Sequence, residues 1–363
     1  MTIVLVIVIL VFLIVVHELG HFIAAKIFGV RVEEFGVGYP PRALMFGKIG
    51  ETEYTLNWLP FGGFVRLFGE QEDTDEHGRG SFMDSPRWKQ AVILVAGVAM
   101  NAIAAWGLFA WALTEGVPRV VDQLQPNESA QLVVSDVVAG SPAEAAGVMA
   151  GDQVISLSDP SGTEPAAMTP DAFVAFVSDE GGRPITLTFL HEGVTTTASM
   201  IPAHAVVAQN AGRPAIGVGL VLVATQAIPF DQALKESVTT TEDSFVIVGQ
   251  GLWEILKTAL HGSPDLTNVV GPVGLVAVVG EAARSGLGQV LELAAFISVN
   301  LTIVNLIPIP ALDGGRLLVL IVEAIMRKSA PKLAIQVLNT VGVALIILLM
   351  ITVTYHDVAR LFA

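Results

Sequence analysis

"VFLIVVHELGHFIAAKIFG", residues 11–29, decides how this chain is read. It is hydrocarbon on both sides, yet it places His17, Glu18 and His21 inside what otherwise reads as a membrane span. A bilayer core of about 30 Å needs roughly 20 apolar residues in a helix, and residues 2–27 supply them. Ionisable groups at that depth cost a few kcal/mol each and usually mark function. At 3.6 residues per turn, His17 and His21 fall on one helix face, about 6 Å apart along the axis. Two neutral imidazoles so placed can bind one zinc ion, with Glu18 in reach of a water held there.

The rest of the chain agrees with a membrane setting. A hydrophobic content of 53%, only 15% charged residues and a mean hydropathy of +0.66 remove it from the soluble class. There is no cysteine, which excludes disulfides and thiolate metal sites. A net charge of −15 excludes a nucleic-acid partner, which needs a basic face. Residues 90–113, 289–307 and 332–354 are further spans by length and apolarity. The first stretch reads as a span and not a signal peptide, because no Lys or Arg precedes it and no small-residue cleavage site follows Val16.

Charge sets the expected orientation. Residues 26–89 carry eight Lys/Arg, and Arg316, Arg327, Lys328 and Lys332 follow the third span. The positive-inside rule puts both regions in the cytoplasm. Residues 118–288 hold six Lys/Arg against eighteen Asp/Glu, a net of −12, and belong outside with both termini. Four spans close that topology. Residues 269–280 (VVGPVGLVAVVG) are too short to span and read as a buried loop or membrane-surface segment. Phe245, Val248, Leu252, Ile255, Leu256 and Ala259 share one helical face, which suits an interfacial helix or one packed on its own domain.

Within the outer segment, residues 131–158 read "QLVVSDVVAGSPAEAAGVMAGDQVISLS". A β-branched run ends at Gly140, a Ser-Pro start leads a short helix stopped by Gly147, and a strand follows the Gly151-Asp152 turn. The stretch resembles a bacterial PDZ domain, with the domain expected over 128–205. Such domains take extended chain ends by strand addition.

A catalytic zinc wants three protein ligands and one open position. His77, His191, His204, His261 and His356 sit in loops or tails. Among the carboxylates Asp313 stands apart, in "NLIPIPALDGGRLLVL" after the Pro308/Pro310 break. Prolines disfavour helix before them, and unwound backbone at membrane depth is tolerated only where it lines protein or a watery cavity. A helix-capping role for Asp313 competes with ligation. Asn305 could position substrate backbone, stabilise an oxyanion or join helices.

HELGH in one span with NLIPIPALDGG in a later one resembles the site-2 proteases, the zinc intramembrane metalloproteases. The order of spans, with PDZ-like matter between the second and third, is similar to the bacterial branch typified by the sigma-E regulator protease. The resemblance implies His17, His21 and Asp313 as ligands of one Zn2+ ion, Glu18 as general base and Asn305 in a supporting role. It also implies that "EYTLNWLPFGGFVRLFGE" forms a membrane-associated β-element, with Gly62-Gly63 before a second apolar strand. Gly63, Phe64 and Val65 would then pair with unwound substrate. "GPVG" at 271–274 matches a further family segment. One PDZ-like unit is found where the best-known Gram-negative members carry two.

The expected fold is a polytopic α-helical membrane protein of about four transmembrane helices, with a cytoplasmic-side β-element and an extracytoplasmic α/β PDZ-like domain. Its divisions are a first span over 1–29, a cytoplasmic-side β-loop over 30–89, a second span over 90–114 and the PDZ-like domain over 128–205. An outer linker follows over 206–288, then a broken third span over 289–328 and a fourth over 331–354. The expected activity is cleavage of single-span membrane proteins, such as anti-sigma factors or remnant signal peptides, after their outer domain has been trimmed. Expected partners are that transmembrane substrate, membrane lipid and a peptide or protein at the PDZ-like domain, in a bacterial inner (plasma) membrane. The rivals are an inactive PDZ scaffold and a midplane metal or proton transporter, the latter requiring inverted repeats and more spans.

Overall fold

A computed structural model describes residues 1–70, 78–121, 129–191, 193–204, 212–261, 269–328 and 330–361. In chain order the elements are α1 (Thr2–Phe28), β1 (Val32–Ile49), β2 (Thr52–Leu67), α2 (Arg87–Thr114), β3 (Arg119–Val121), β4 (Ala130–Val137), α3 (Pro142–Ala145), β5 (Gln153–Ser158) and α4 (Pro170–Asp179). They continue with β6 (Ile185–His191), β7 (Val194–Met200), β8 (Val218–Ala224), α5 (Phe230–Leu260), α6 (Pro272–Ser285), α7 (Leu287–Leu306), α8 (Asp313–Met326) and α9 (Lys332–Leu361). The chain divides into two compact units, Met1–Glu115 with Ile228–Ala363, and Gly116–Ala227.

In the first unit α1, α2, α7 and α9 are long and apolar enough to cross a membrane. Apolar burial alone cannot hold helices together in lipid, so close backbone approach carries the packing. Gly20 of α1 lies against the Ala96 carbonyl and Gly97 of α2, leaving no room for a Cβ. The third span is broken as its prolines require: α7 stops at Leu306 and α8 starts at Asp313. Gly314 and Gly315 press on the carbonyls of Ile307 and Ile309, so the first turn of α8 folds back onto the break.

β1 and β2 form one antiparallel pair that bends twice. Gly38 and Gly62, at φ 82° and 130°, take the left-handed conformations the corners need. Residues 32–37 pair on one side with 53–56 and on the other with 63–67, while 42–49 pairs with 52–57. β2 therefore runs through Gly62-Gly63 as one bent strand, where a separate second strand was expected. Glu34, nearly fully buried, ties three of these limbs: Arg42 lies 3.1 Å away, Arg66 2.8 Å, and Thr55 Oγ1 donates at 2.7 Å. On the outer limbs Leu44, Phe46, Ile49 and Trp58 are exposed.

Three sequence expectations are changed or extended here. Residues 269–280 are not a loop: α6 starts at Pro272, whose ring presets the first helical φ. Its N-terminus is capped from α9, where Asp357 accepts from the Gly271 and Gly274 N–H groups at 3.2 and 2.8 Å. The amphipathic stretch belongs to a 31-residue helix, α5. Its inward seam of Ala233, Ser237, Thr241, Ser244 and Val248 is buried, and Leu234 O accepts from Trp106 Nε1 of α2 at 3.0 Å. Third, 206–288, expected as a linker with an amphipathic helix and an apolar loop, also holds β8.

The second unit is a six-stranded sheet in the order β3-β8-β4-β5-β6-β7, antiparallel throughout. It is wider than the 128–205 expected, since β3 and β8 join from outside those bounds by pairing that no local pattern announces. Ser141 and Thr169 cap α3 and α4, each followed by proline. Phe173, Phe189, Leu132, Leu157 and Leu187 fill the core.

Glu34→Ala strips two arginines and a hydroxyl of their common buried acceptor. It should destabilise the first unit by about 3 kcal/mol, seen as a lowered melting midpoint in detergent. Glu33→Ala, which removes only an exposed 3.3 Å pair with Arg66, should cost under about 1 kcal/mol.

Candidate metal centre

Helix α1 delivers His17 and His21 to one face, both buried, and the break before α8 delivers Asp313 to the same point. His17 Nε2 lies 2.9 Å from Asp313 Oδ2, His21 Nε2 lies 3.3 Å from it, and the two Nε2 atoms are 3.1 Å apart. Among the described residues this is the one group of three His, Asp or Glu side chains close enough to share an ion. His77 lies outside the described residues.

The chemistry of the three atoms fits a cation. His21 Nδ1 is 2.8 Å from the Ile93 carbonyl, which can only accept, so Nδ1 carries the proton and Nε2 of the neutral ring is a lone pair. Asp313 Oδ2 is buried and faces the two imidazole nitrogens. A shared proton or a shared cation is what lets these three atoms gather this closely. Tetrahedral ligands at zinc's bond lengths of 2.0–2.2 Å stand about 3.3–3.6 Å apart, a little beyond the edges of 2.9, 3.1 and 3.3 Å observed here.

Glu18, one residue from His17, turns to the neighbouring face. It lines a cavity of about 1240 Å³ together with His21, Asp313 and Gly63–Val65. A Cβ on Gly63 would sit 3.4 Å from Glu18 Cγ, so the β2 limb runs directly over the carboxylate. The far side of that limb faces no further strand among the described residues. Burial, and behind it the Glu18 charge, push the Tyr39 hydroxyl on the cavity wall above its ordinary pKa, which leaves it a protonated donor at neutral pH. Arg316, one turn beyond Asp313, pairs with Glu70 at 2.6 Å just past the end of β2.

The structure thus brings together His17, Glu18, His21, Asp313, Gly63, Phe64 and Val65. Asn305 is not gathered with them. It is half-buried in the last turn of α7, makes no side-chain hydrogen bond among the described residues and does not line the cavity. Two residues of α2 escaped the sequence reading. Asn101 is fully buried with Nδ2 3.2 Å from His17 Nδ1, and Gly97 lies where a Cβ would strike both imidazoles. A polar Asn in mid-span, one turn after a glycine, was the available signal.

Gly97→Ala should displace the imidazoles, lowering bound metal and costing about 1–3 kcal/mol of stability. Gly107→Ala on the same helix, with open space around the added methyl, should keep full metal content and melt no lower than wild type. Metal analysis and melting curves of the two variants check this.

The family model described as Peptidase family M50 matches residues 5–349. A Clostridium perfringens protein with a provisional zinc-metalloprotease name is 34% identical over 351 residues, covering 95% of this chain and 95% of that protein. The zinc metalloprotease RasP of Bacillus licheniformis is 27% identical over 426 aligned positions, covering 95% of this chain and 96% of its own length. Among solved structures, a PDZ domain of an SdrC-like protein from Listeria monocytogenes is 17% identical with a TM-score of 0.21, over 27% of this chain and 92% of that domain.

Proposed function

Given that the chain belongs to peptidase family M50, the site-2 proteases, we propose that His17, His21 and Asp313 hold the zinc ion of this intramembrane metalloprotease and that Glu18 is its general base. The observation carrying this reading is the closure of two imidazole nitrogens and one carboxylate oxygen to within 3.3 Å, with Glu18 beside them on a cavity wall. Zinc, when bound, is a Lewis acid that lowers the pKa of a water in its open position towards about 7. Glu18 takes the proton of the attacking water and passes it to the leaving amine nitrogen, so one carboxylate serves both halves of the reaction. Cavity walls of Phe64, Leu94 and Leu320 limit bulk water around that transfer.

The substrate class follows from hydrogen bonding. A transmembrane helix hides its carbonyls in its own i→i−4 bonds, and opening it in lipid costs several kcal/mol per group unless partners replace them. The limb at 63–66 offers such partners beside Glu18. Gly63, Phe64 and Val65 would pair with an extended stretch of substrate by strand addition. Exposed Leu44, Phe46, Ile49 and Trp58 suit a hairpin resting in the membrane surface, with lipid as their partner.

Charge supports residues 30–89 on the cytoplasmic side of a bacterial plasma membrane, with both termini and the 116–227 unit outside. The substrates would be single-span proteins such as anti-sigma factors or remnant signal peptides, once their outer domain has been trimmed. The PDZ-like unit would take an extended peptide and restrain access until then.

Two measurements test the assignment on purified protein with a reporter transmembrane substrate. Glu18→Gln should keep about one zinc per chain yet cleave about a hundred- to ten-thousand-fold slower, and a chelator should abolish wild-type cleavage. Cleavage that survives Glu18→Gln would falsify the general-base role. Asp313→Asn should lose most of its bound zinc, and undiminished zinc content would remove Asp313 from the site.

A further inference from the structure

Asn101 stands behind His17 on the side away from the metal position. Its side chain is fully buried, its amide nitrogen is 3.2 Å from His17 Nδ1, and its Oδ1 is buried without a hydrogen-bond partner. The helix around it is fixed from α7, where Ser298 Oγ donates to the Asn101 carbonyl at 2.8 Å and Thr302 Oγ1 donates to the Ser298 carbonyl at 2.8 Å. Gly97, one turn earlier, leaves the space both rings occupy.

An amide nitrogen can only donate, so in this orientation His17 Nδ1 must be the lone pair and Nε2 must carry the ring's proton. That arrangement suits a site without metal: Nε2–H then donates to Asp313 Oδ2, 2.9 Å away. It cannot ligate zinc, which needs the Nε2 lone pair. A half-turn of the amide leaves its shape unchanged and exchanges oxygen for nitrogen. Oδ1 then accepts from His17 Nδ1–H, the stranded acceptor gains a donor, and Nε2 is freed. The ring stays neutral in both forms, its single proton exchanging from Nε2 to Nδ1.

We propose that Asn101 is the positioning residue for His17, its amide turning to present Oδ1 when zinc binds and so fixing the tautomer that ligates. His21 needs no such switch, since the Ile93 carbonyl holds it permanently in the ligating tautomer. The two ligands on one helix thus have unequal supports, one fixed and one able to follow the metal. The proposal rests on His17 being a zinc ligand.

The test uses the full-length protein in detergent, with zinc alone as ligand and affinity read by chelator competition. Asn101→Leu removes the acceptor and should weaken zinc binding about 10–100-fold. Asn101→Asp supplies an obligate acceptor and should hold zinc within about threefold of wild type. Asn101→Ala replaces the leucine variant if the latter does not fold. Histidine-labelled protein should show the His17 nitrogen signals, identified by their loss in His17→Ala, change from the Nε2–H to the Nδ1–H pattern as zinc is added. Wild-type affinity in Asn101→Leu, equal losses in the Asp and Leu variants, or an unchanged tautomer would each overturn the proposal. Full zinc affinity in His17→Ala would instead remove the ligand reading on which it stands.

Discussion

Two imidazole nitrogens and a carboxylate oxygen, His17 Nε2, His21 Nε2 and Asp313 Oδ2, meet within 3.3 Å in the interior of a helical membrane protein, and much of the first unit serves to make that meeting tolerable. Lipid offers no water to satisfy them, so they must be satisfied by one another or by an ion. A divalent cation held among them would join metal binding to folding in one free energy. Each part of the first unit can be understood by what it contributes to holding those atoms together.

Glycine supplies the distances. Gly20 and Gly97 bring α1 and α2 close enough for the imidazoles to lie against bare backbone, and Gly314 and Gly315 fold α8 onto the carbonyls of the broken span. The prolines that interrupt that span free backbone groups at depth, which the refolded turn re-employs in short local bonds such as Ile309 N to Ile307 O at 2.7 Å. Side-chain ties then fix what close packing has brought together. Ile93 O holds one ring, Asn101 stands behind the other, and Arg316 joins the Asp313 helix to the turn after β2.

The β-element solves a different problem. A protease acting on helices must give the opened backbone somewhere to bond. The bent pair of β1 and β2, pinned by buried Glu34, runs one limb beside Glu18 with its far edge clear of other strands among the described residues. The same bend turns an apolar outer limb outward. One short sheet thereby presents an apolar limb outward and another limb beside Glu18.

By itself the sequence determined what depends on composition and on short spacing. The four apolar runs, the i,i+4 histidines with Glu18 between them, and the proline break before Asp313 are local patterns, written in consecutive residues. Their meaning survives any reasonable packing. Tertiary structure decided everything set by distant pairs. No local signal says that β8 enters a sheet beside β4, that Asp357 caps α6 across 86 residues, or that Asn305 stays apart from the cavity while Asn101 reaches His17. A side chain's periodicity reports which face it is on. Only the packing of a second helix decides what that face meets, and for Asn101 it meets Nδ1 of His17.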